Sequence, residues 1–228
     1  MRLSVVIPVL NEGNGIQPLL SSLQSIRAQG HEIIVVDGGS NDATIALAKP
    51  LSDRVVISSR GRAPQMNAGA AVASGNVLFF LHADSQLPGN FIELIVDAMN
   101  HSRWGRFDIR LSGDRFLFRV VEWFMNQRSR SSGISTGDQG LFVTRELFDA
   151  VGGFPAIALM EDIAITKKLR KFEAPICLVT KIITSSKRWE KNGAWHTIWL
   201  MWRLRYAYWR GADPAHLARI YYPPSTNG

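Results

Sequence analysis

The first hundred residues alternate between short, continuously apolar runs and segments whose apolar residues recur at helical spacing. The apolar runs predict four strands, at residues 3–9, 32–36, 55–58 and 77–81. The segments between them predict three helices, at residues 16–29, 42–48 and 64–73. Continuously apolar strands that alternate with helices are typical of a parallel sheet with both faces covered. The sequence therefore predicts an α/β fold with a Rossmann-type, mostly parallel sheet and helices on both faces.

The pattern changes after Asn100. Residues 105–111 predict a further strand, and residues 114–128 predict a helix with two unlike sides. One side is polar and carries Arg115, Arg119, Glu122 and Asn126. The other side is bulky and carries Phe116, Leu117, Val120, Trp123 and Phe124. Further along, the segment LMEDIAITKKLRK predicts a helix with acids at its start and bases at its end.

The composition is that of a globular domain, with 46% hydrophobic and 20% charged residues in a chain of 228. Such a length is ample for a large core. The single cysteine, Cys177, excludes an internal disulfide and fits a reducing compartment. It lies in the apolar run 175–179, which predicts a core position and not a nucleophile.

The net charge of +7 is concentrated near the C-terminus. Residues 1–180 hold 18 Lys and Arg against 17 Asp and Glu, whereas the C-terminal tail, residues 181–228, holds 8 against 2. This distribution argues against a nucleic-acid-binding protein and predicts a local basic surface.

The N-terminal residues lead from Met1 straight into an apolar run too brief for a signal peptide. No uncharged apolar stretch of the sequence is long enough to span a bilayer. We therefore expect a cytoplasmic protein.

Polar side chains follow three of the predicted strands, where ligands of such sheets bind. Pro8, Asn11 and Glu12 end the first strand, Asp37 follows the second, and His82 and Asp84 follow the fourth. A protein core does not need acids and amides at one edge of its sheet. The sequence therefore predicts a ligand site at this edge.

Four segments resemble the motifs of glycosyltransferase family two, in the same order: SVVIPVLNE, IIVVDGGSNDAT, GRAPQMNAGAAVASGNVLFFLHAD and MEDIAI. The resemblance implies a GT-A fold, a UDP- or GDP-type nucleotide-diphosphate sugar as donor, a hydroxyl-bearing acceptor and inversion at the anomeric carbon. It implies a catalytic domain at 1–180, with a nucleotide-sugar-binding half at 1–100 and an acceptor half at 101–180. FLHADS and GDQG are similar to a short bacterial subgroup named after arsenosugar biosynthesis.

Donor binding is assigned by resemblance and by strand-end position. Asp37 can accept hydrogen bonds from a uracil-type imide or a ribose hydroxyl; alternatively it caps the following turn, a task that suits Asp42 better. Pro8, Asn11 and Glu12 lie at the mouth of the first strand, where the alternative for Asn11 and Glu12 is a polar loop.

The Ala-rich helix and the loop before it supply further donor candidates. An asparagine in mid-helix lowers the stability of the helix, so Asn67 is expected to have another function. Gly69 would allow close approach either of a ligand or of a neighbouring strand. Arg62 and Arg60 precede the helix, and guanidinium groups beside a helix N-terminus suit a diphosphate. The alternative for both arginines is an ordinary solvated surface.

The resemblance implies a divalent cation, Mg²⁺ or Mn²⁺, held by two acids after the fourth strand. Asp84 stands at the second of these positions and His82 at the first. An imidazole can ligate Mn²⁺, hydrogen-bond a phosphate or sugar, or be satisfied by backbone groups, so the role of His82 stays open.

Glu161 and Asp162 match the family's acidic pair. The resemblance implies that Asp162 is the general base and that Glu161 holds the sugar or acceptor. Acids at the start of a helix also stabilise the helix, and this structural function does not exclude a catalytic one. Asp138, in TGDQG, is an acceptor-side candidate with loop structuring as the alternative.

The segment SSKRWEKNG matches an Arg-Trp pair of many relatives, mainly processive ones, at Arg188 and Trp189. These residues are assigned to the diphosphate and the acceptor, respectively. Ser185 stands where those relatives carry Gln, which argues against processive polymer synthesis.

Residues 194–210 predict a helix with one aromatic face, formed by Trp195, Trp199, Trp202, Tyr206 and Trp209. Trp beside Lys and Arg suits a membrane surface, and packing on the domain or on a second subunit explains the face equally well.

Two other classes of protein compete with a glycosyltransferase. A nucleotidyltransferase would carry a Gly-rich loop with a basic residue after the first strand, where this chain has the segment 11–15, NEGNG. A non-catalytic basic module that binds membranes would not need acids at strand ends.

Overall fold

The computed structural model describes residues 1–222, apart from the side chains of Arg188 and Asn192. Over these residues seven strands, β1–β7, span Leu3–Val9, Glu32–Asp37, Arg54–Ile57, Val77–Phe80, Trp104–Leu111, Leu141–Thr144 and Ile176–Thr184. In the same part of the chain eleven α-helices, α1–α11, span Ile16–Ser22, Gln24–Ala28, Thr44–Ala48, Arg62–Val72, Phe91–Met99, Phe116–Ser132, Arg145–Ala150, Glu161–Leu169, Lys187–Asn192, Ala194–Trp209 and Pro214–Tyr221. A 3₁₀ turn lies at Gly137–Gln139.

The strands form one sheet in the order β3-β2-β1-β4-β6-β5-β7. Strands β1 to β4 are mutually parallel, β6 is antiparallel to both its neighbours, and β5 is parallel to β7. The predicted mostly parallel sheet is thus confirmed. The chain builds outward from β1 to β3 and then returns to place β4 on the other side of β1. This reversal opens a crevice at the carboxyl ends of β1 and β4, where such sheets bind ligands.

Helices cover both faces of the sheet, as predicted. Alternate residues of β1 belong to two different core clusters, because successive strand side chains point to opposite faces. Val5 and Ile7 pack in a cluster with residues of α1 and α5, whereas Val6 packs with residues of α4 and α8.

Helix α4 lies unusually close to the sheet at Gly69. A Cβ atom at this position would meet Val6 Cγ1 at 2.4 Å and Val36 Cγ2 at 2.9 Å. The packing alternative for Gly69 therefore explains the residue, because no larger side chain fits between α4 and strands β1 and β2.

The helix predicted at 16–29 is instead two helices, α1 and α2, with a break at Leu23. The side-chain amide of Gln24 donates to the carbonyl of Leu20 at 2.7 Å and to that of Leu51 at 2.9 Å. It thus takes the acceptor that the backbone N–H of Gln24 would use in a continuous helix.

Helix α6 buries its polar side and exposes its bulky one. Strand β5 pairs with β6 only over Trp104–Arg106, so its later residues present an open edge. Asn126 fills this edge: its side chain accepts from the N–H of Ile109 at 3.0 Å and donates to the Ile109 carbonyl at 3.1 Å. Glu122 accepts from the N–H of Leu111 at 2.6 Å. Polar side chains are required here because buried backbone groups must find partners.

The tail packs on the domain through one face only. Leu204 of α10 and Leu217 of α11 are buried against Met160 and Ile163. The aromatic face of α10 stays in solvent, with Trp202 75% exposed. The predicted boundary at residue 180 falls inside β7, so the sheet extends into the segment assigned to the tail. None of the helices within residues 1–222 combines the length and apolarity that a bilayer crossing requires.

Candidate active site

The loop after β1 is tied to the loop after β2. Asn11 adopts a left-handed backbone conformation, with φ of 55°. Its N–H donates to Ser40 Oγ at 2.8 Å, and its side-chain oxygen accepts from the N–H of Asn41 at 2.9 Å. The N–H of Glu12 donates to Thr44 Oγ1 at 2.8 Å. The polar-loop alternative for Asn11 is therefore present in the structure, while the carboxylate of Glu12 is free for other tasks.

The two carboxylate oxygens of Asp37 have different surroundings. Oδ2 accepts from the N–H groups of Gly39 at 2.8 Å and Ser40 at 2.9 Å, which is the predicted turn cap. Oδ1 is buried and has no partner among the described residues. An orphaned buried acceptor needs an explanation, and a bound ligand supplies one. Turn capping by Oδ2 therefore leaves Oδ1 available for a ligand.

Gln65, on α4, is a site-forming residue that the sequence interpretation missed. Its buried amide nitrogen donates to the carbonyls of Val9 and Val36, both at 2.8 Å. It thereby joins the carboxyl ends of β1 and β2. The sequence feature that could have identified Gln65 is its position, as a glutamine, among the small residues of the Ala-rich helix.

Charged groups from four elements meet where β1 and β4 end; Glu12, Arg62, Asp84 and Lys187 form this strand-end cluster. Burial, followed by the charge of Asp84, raises the pKa of Glu12, while Lys187 and Arg62 oppose the rise. Burial also raises the pKa of Asp84, against the nearby charge of Arg62. Sequence reasoning found three of the four residues and missed Lys187, which only the position of α9 brings here.

A second group of acids surrounds the start of α8; Asp138, Glu161 and Asp162 form this α8 cluster. The N–H groups of Gly137 and Ile163 donate to the two oxygens of Asp162, at 2.9 and 2.7 Å. Burial nevertheless raises the pKa of Asp162. Burial and the neighbouring Asp162 raise the pKa of Glu161 to about 7.

Arg62 connects the two clusters. It interacts electrostatically with Glu12 and Asp84 on one side and with Glu161 and Asp162 on the other. A cation between two acid pairs is well placed to attract an anionic ligand into the crevice.

His82 is half-buried against the 3₁₀ turn. A Cβ atom on Gly137 would meet His82 Nε2 at 2.7 Å, so this glycine is required by the close approach of the imidazole. Burial, followed by the charge of Arg62, lowers the pKa of His82 to about 3. The ring is therefore neutral at physiological pH, which is the form that ligates metals.

The described residues contain no group of three or more His, Cys, Asp and Glu side chains that could hold a metal. Mg²⁺ and Mn²⁺ commonly take only one or two protein ligands and complete their shells with water and substrate phosphates. Asp84 interacts with Glu12, and the neutral His82 stands two residues before Asp84, so these residues could supply such a partial set.

Three other sequence candidates lie in defined surroundings. The side chain of Asn67 donates to the carbonyl of Phe154 at 2.8 Å and accepts from its N–H at 2.9 Å, which accounts for a mid-helix asparagine. Pro8 pairs with Val36 of β2 and lies two residues beyond Val6, the last β1 residue paired with β4. Trp189 packs against Phe118 and Val121. The side chain of Arg188 lies outside the described residues, so its assignment stays a prediction.

Arg128, on α6, is a further residue that sequence reasoning did not single out. It interacts electrostatically with Asp138 and Asp162. Its Nε and Nη2 atoms are buried without a partner among the described residues, as is Asp138 Oδ1. No local sequence signal distinguishes this arginine from Arg119 and Arg130 on the same helix.

The fold and the site together define a class. A mostly parallel sheet whose strand order reverses between β1 and β4, with acids and cations gathered at that reversal, is a GT-A-type α/β domain. Solved structures agree on this fold. TarS of S. aureus (residues 1–349) in complex with UDP-GlcNAc is 18% identical with a TM-score of 0.67, over 81% of this chain and 58% of that one. Glucosyl-3-phosphoglycerate synthase of Mycobacterium tuberculosis, with Mg²⁺ and UDP, is 19% identical with a TM-score of 0.60, over 80% of this chain and 70% of that one.

The chain belongs to glycosyl transferase family 2, whose family model matches residues 4–152. Dolichol-phosphate mannosyltransferase of Pyrococcus furiosus is 30% identical over 167 residues, which are 69% of this chain and 46% of that protein. Beta-monoglucosyldiacylglycerol synthase of Synechocystis sp. is 21% identical over 224 residues, which are 85% of this chain and 47% of that protein. The chain thus spans about half the length of these curated relatives.

Proposed function

We propose that this protein is an inverting glycosyltransferase that moves a sugar from a nucleotide-diphosphate sugar to an acceptor hydroxyl. The observation that carries the proposal is the pairing of the strand-end cluster with the α8 cluster through Arg62. The strand-end cluster suits the binding of a diphosphate, and the α8 cluster suits proton transfer. Membership of family 2 supports a reaction that uses both clusters. Catalytic-domain bounds of about 1–180, with donor and acceptor halves, are part of the same proposal.

The donor is assigned to the crevice between β1 and β4. The proposed contacts are Pro8, Asn11, Glu12, Asp37, Arg62, Asn67, His82, Asp84 and Arg188. Asp37 offers its orphaned Oδ1 to the base or the ribose. Arg62 neutralises the diphosphate, and the position of Lys187 beside Glu12 and Asp84 supports the same function for that residue. Neighbouring solved structures hold UDP-GlcNAc or UDP, which favours a UDP-type donor, with GDP as the alternative.

A divalent metal is assigned to Asp84, with His82 as second ligand. When bound, such a cation supplies positive charge to the departing diphosphate. Neighbouring solved structures of family-like fold carry Mg²⁺ or Mn²⁺ together with UDP, which supports the assignment.

Asp162 is the proposed general base. It removes the proton of the acceptor hydroxyl as that oxygen attacks the anomeric carbon, in line with and opposite to the departing diphosphate. In-line attack inverts the anomeric centre. The raised pKa of Asp162, caused by burial, makes its carboxylate a better proton acceptor than an exposed one. Glu161 holds the sugar or the acceptor, and Asp138 and Trp189 contact the acceptor.

The tail is proposed to rest on the surface of a membrane, which would make a cytoplasmic protein peripheral to its inner face. On α10, Trp195, Trp199, Trp202, Tyr206 and Trp209 are all exposed on one face. Arg203 lies over the ring of Trp199 at 5.3 Å. Phe116, Trp123 and Phe124 of α6 are exposed as well. Exposed aromatic residues with a basic surrounding suit the interface of an anionic bilayer.

The finer assignment to the arsenosugar subgroup stays a proposal that FLHADS and GDQG alone support. The nucleotidyltransferase and binding-module alternatives lack a comparable observation, because neither class uses an acidic pair at the start of a helix as a base.

One screen tests the function. The protein is incubated with a panel of UDP- and GDP-sugars and Mn²⁺, and release of nucleoside diphosphate is measured together with thermal shifts. A glycosyltransferase slowly hydrolyses its own donor, so one sugar nucleotide should release its diphosphate and raise Tm. Release of inorganic pyrophosphate from nucleoside triphosphates would favour a nucleotidyltransferase. Neither product nor any shift with the panel would contradict the proposal.

A further inference from the structure

The proposed reaction assigns no function to the guanidinium of Arg128. Its Nε and Nη2 atoms are buried and have no hydrogen-bond partner among the described residues. These two nitrogens form one edge of the guanidinium, and such an edge binds two oxygens of one oxyanion side by side. Burying guanidinium N–H groups without hydrogen-bond partners costs free energy, which a bound oxyanion would recover.

Neighbouring arginines of α6 are bound to protein. Arg130 forms an ion pair with Asp108. Arg119 donates through Nη2 to the carbonyl of Leu111 at 2.7 Å and pairs with Glu122, although its Nε has no partner among the described residues. These two residues hold α6 on β5 and have a structural function. Arg128 differs from them because the charges that it interacts with are Asp138 and Asp162 of the α8 cluster, and Arg106.

Arg128 is associated with the α8 cluster. The acids whose charges act on it are Asp138 and Asp162, whereas the cations that act on Glu12 and Asp84 are Arg62 and Lys187. Asp138 Oδ1 is also without a hydrogen-bond partner among the described residues, so it does not pair with the Arg128 edge.

We propose that Arg128 binds an anionic group of the acceptor, a phosphate or a carboxylate, next to the hydroxyl that Asp162 deprotonates. The acceptor is then an anionic hydroxyl compound and not a neutral sugar or lipid. Asp138 accepts a hydrogen bond from a second hydroxyl of the same molecule. This inference rests on the proposed function and specifies its acceptor class.

The probe is sn-glycerol 3-phosphate, which carries a phosphate beside free hydroxyls; glycerol is its neutral counterpart. Each is titrated by calorimetry into protein saturated with UDP and Mn²⁺, so that UDP occupies the donor site. The phosphate is expected to bind and glycerol to bind far more weakly. Arg128→Gln should weaken phosphate binding about 10- to 100-fold, as expected for a lost charged pair of hydrogen bonds. Arg128→Lys, which keeps the charge without the fork, should fall in between.

The matched control is Arg115→Gln. Arg115 is an exposed cation at the start of the same helix, and its loss should leave phosphate affinity unchanged. A second arm replaces the probe with lysophosphatidic acid below its micelle concentration. Tighter binding of the lipid, lost in the Arg128 variants, would identify a lipid phosphate; equal binding would identify a soluble one.

Three results would overturn the proposal: no phosphate binding by the unaltered protein, equal phosphate affinity of Arg128→Gln, or weakened UDP binding by that variant, which would place Arg128 at the donor. Failure of the unaltered protein to bind any nucleoside diphosphate would instead contradict the proposed function. The Tm of Arg128→Gln is measured in parallel, so that a loss of folding is distinguished from a loss of phosphate binding. Should Arg128→Gln fail to fold, the phosphate affinity of Arg128→Lys decides.

Discussion

The backbone N–H of Gly137 donates a hydrogen bond to Oδ2 of Asp162 at 2.9 Å. The two residues belong to different parts of the chain, since Gly137 lies in the turn after α6 and Asp162 lies in the first turn of α8. This bond favours the ionised carboxylate, whereas burial disfavours it and raises the pKa of Asp162. Gly137 thus ties Asp162 to the same turn that packs on His82.

Asp162→Asn removes the proposed base. We expect turnover to fall by ~10²–10⁴, as is typical of a lost acid–base group, with UDP affinity nearly intact. Turnover is measured as UDP release in the presence of acceptor, and UDP binding by calorimetry. Asp97→Asn, an exposed position on α5, is the control. A near-normal turnover of Asp162→Asn would leave Asp162 as a helix-capping residue.

Glu161 makes stability depend on pH. Burial and Asp162 raise its pKa from 4.5 to about 7, so the folded protein holds this proton more tightly than the unfolded chain. The resulting stability is fully present below the unfolded pKa of 4.5 and is lost as the pH rises to about 7. The loss is about 3 kcal/mol in the free energy of unfolding.

Urea unfolding from about pH 5 to about pH 8 checks this dependence. Glu161→Gln should flatten the decline, because glutamine does not titrate. Glu93→Gln, an exposed position on α5, should leave the decline as it is. Parallel pH profiles of Glu161→Gln and the unaltered protein would contradict the prediction.

Donor binding is expected to require a metal and to prefer Mn²⁺. One carboxylate with an imidazole is a weak set for Mg²⁺, whereas Mn²⁺ tolerates nitrogen better. Asp84→Ala should abolish the metal effect on UDP affinity, and His82→Asp should shift the preference toward Mg²⁺. Calorimetry of UDP binding with each metal and with EDTA measures both. Unchanged affinity in EDTA would mean that cationic side chains carry the diphosphate alone.

Arg62 is expected to act beside the metal and not through it. Arg62→Ala should therefore weaken UDP binding by about tenfold or more even at saturating Mn²⁺. Arg110→Ala, an exposed arginine on β5, is the control for the loss of one positive charge. Equal UDP affinities of the two variants would remove Arg62 from the donor site.

The exposed aromatic face of α10 is expected to bind anionic liposomes. The protein should sediment with such vesicles, and added salt should weaken the binding because it screens the basic surface. Joint replacement of Trp195, Trp202 and Trp209 by Ser should abolish it. Phe172→Ser is the control, since Phe172 is exposed beyond the end of α8. Equal recovery in the supernatant with and without liposomes would favour a protein partner for this face.

Gly69→Ala should destabilise the fold by about 1–3 kcal/mol, because the added methyl overlaps Val6 between α4 and β1. The clash outweighs the gain in helix propensity of about 1 kcal/mol. Gly89→Ala is the control, since a Cβ atom there meets nothing within 4 Å. Denaturant unfolding measures both variants, and equal stabilities would show that α4 moves away from the sheet at no cost.

Local patterns in the sequence were enough to predict the parallel part of the sheet and the place of the site. β1, β2 and β4 are short, mainly apolar runs because they are buried on both faces, whereas the edge strand β3 is only partly buried. Asp37 is the last residue of β2, and Glu12 and Asp84 lie in the loops that follow β1 and β4. Parallel strands have their carboxyl ends at one edge of the sheet, so the positions of these acids at strand ends were sufficient to predict that they lie close together.

Only the tertiary structure decided how the other groups are used. The polar side of α6 faces inward because an open edge of β5 needs hydrogen-bond partners, a demand that no pattern within α6 reveals. Lys187 and Arg128 reach the site through the positions of α9 and α6, and the packing of the 3₁₀ turn supplies the Gly137 donor to Asp162. Burial and hydrogen bonding depend on neighbours that are distant in sequence. Burial raises the pKa of Glu161, and the packing of α6 leaves two nitrogens of Arg128 without hydrogen-bond partners among the described residues. The order of the residues alone shows only an acid and an arginine.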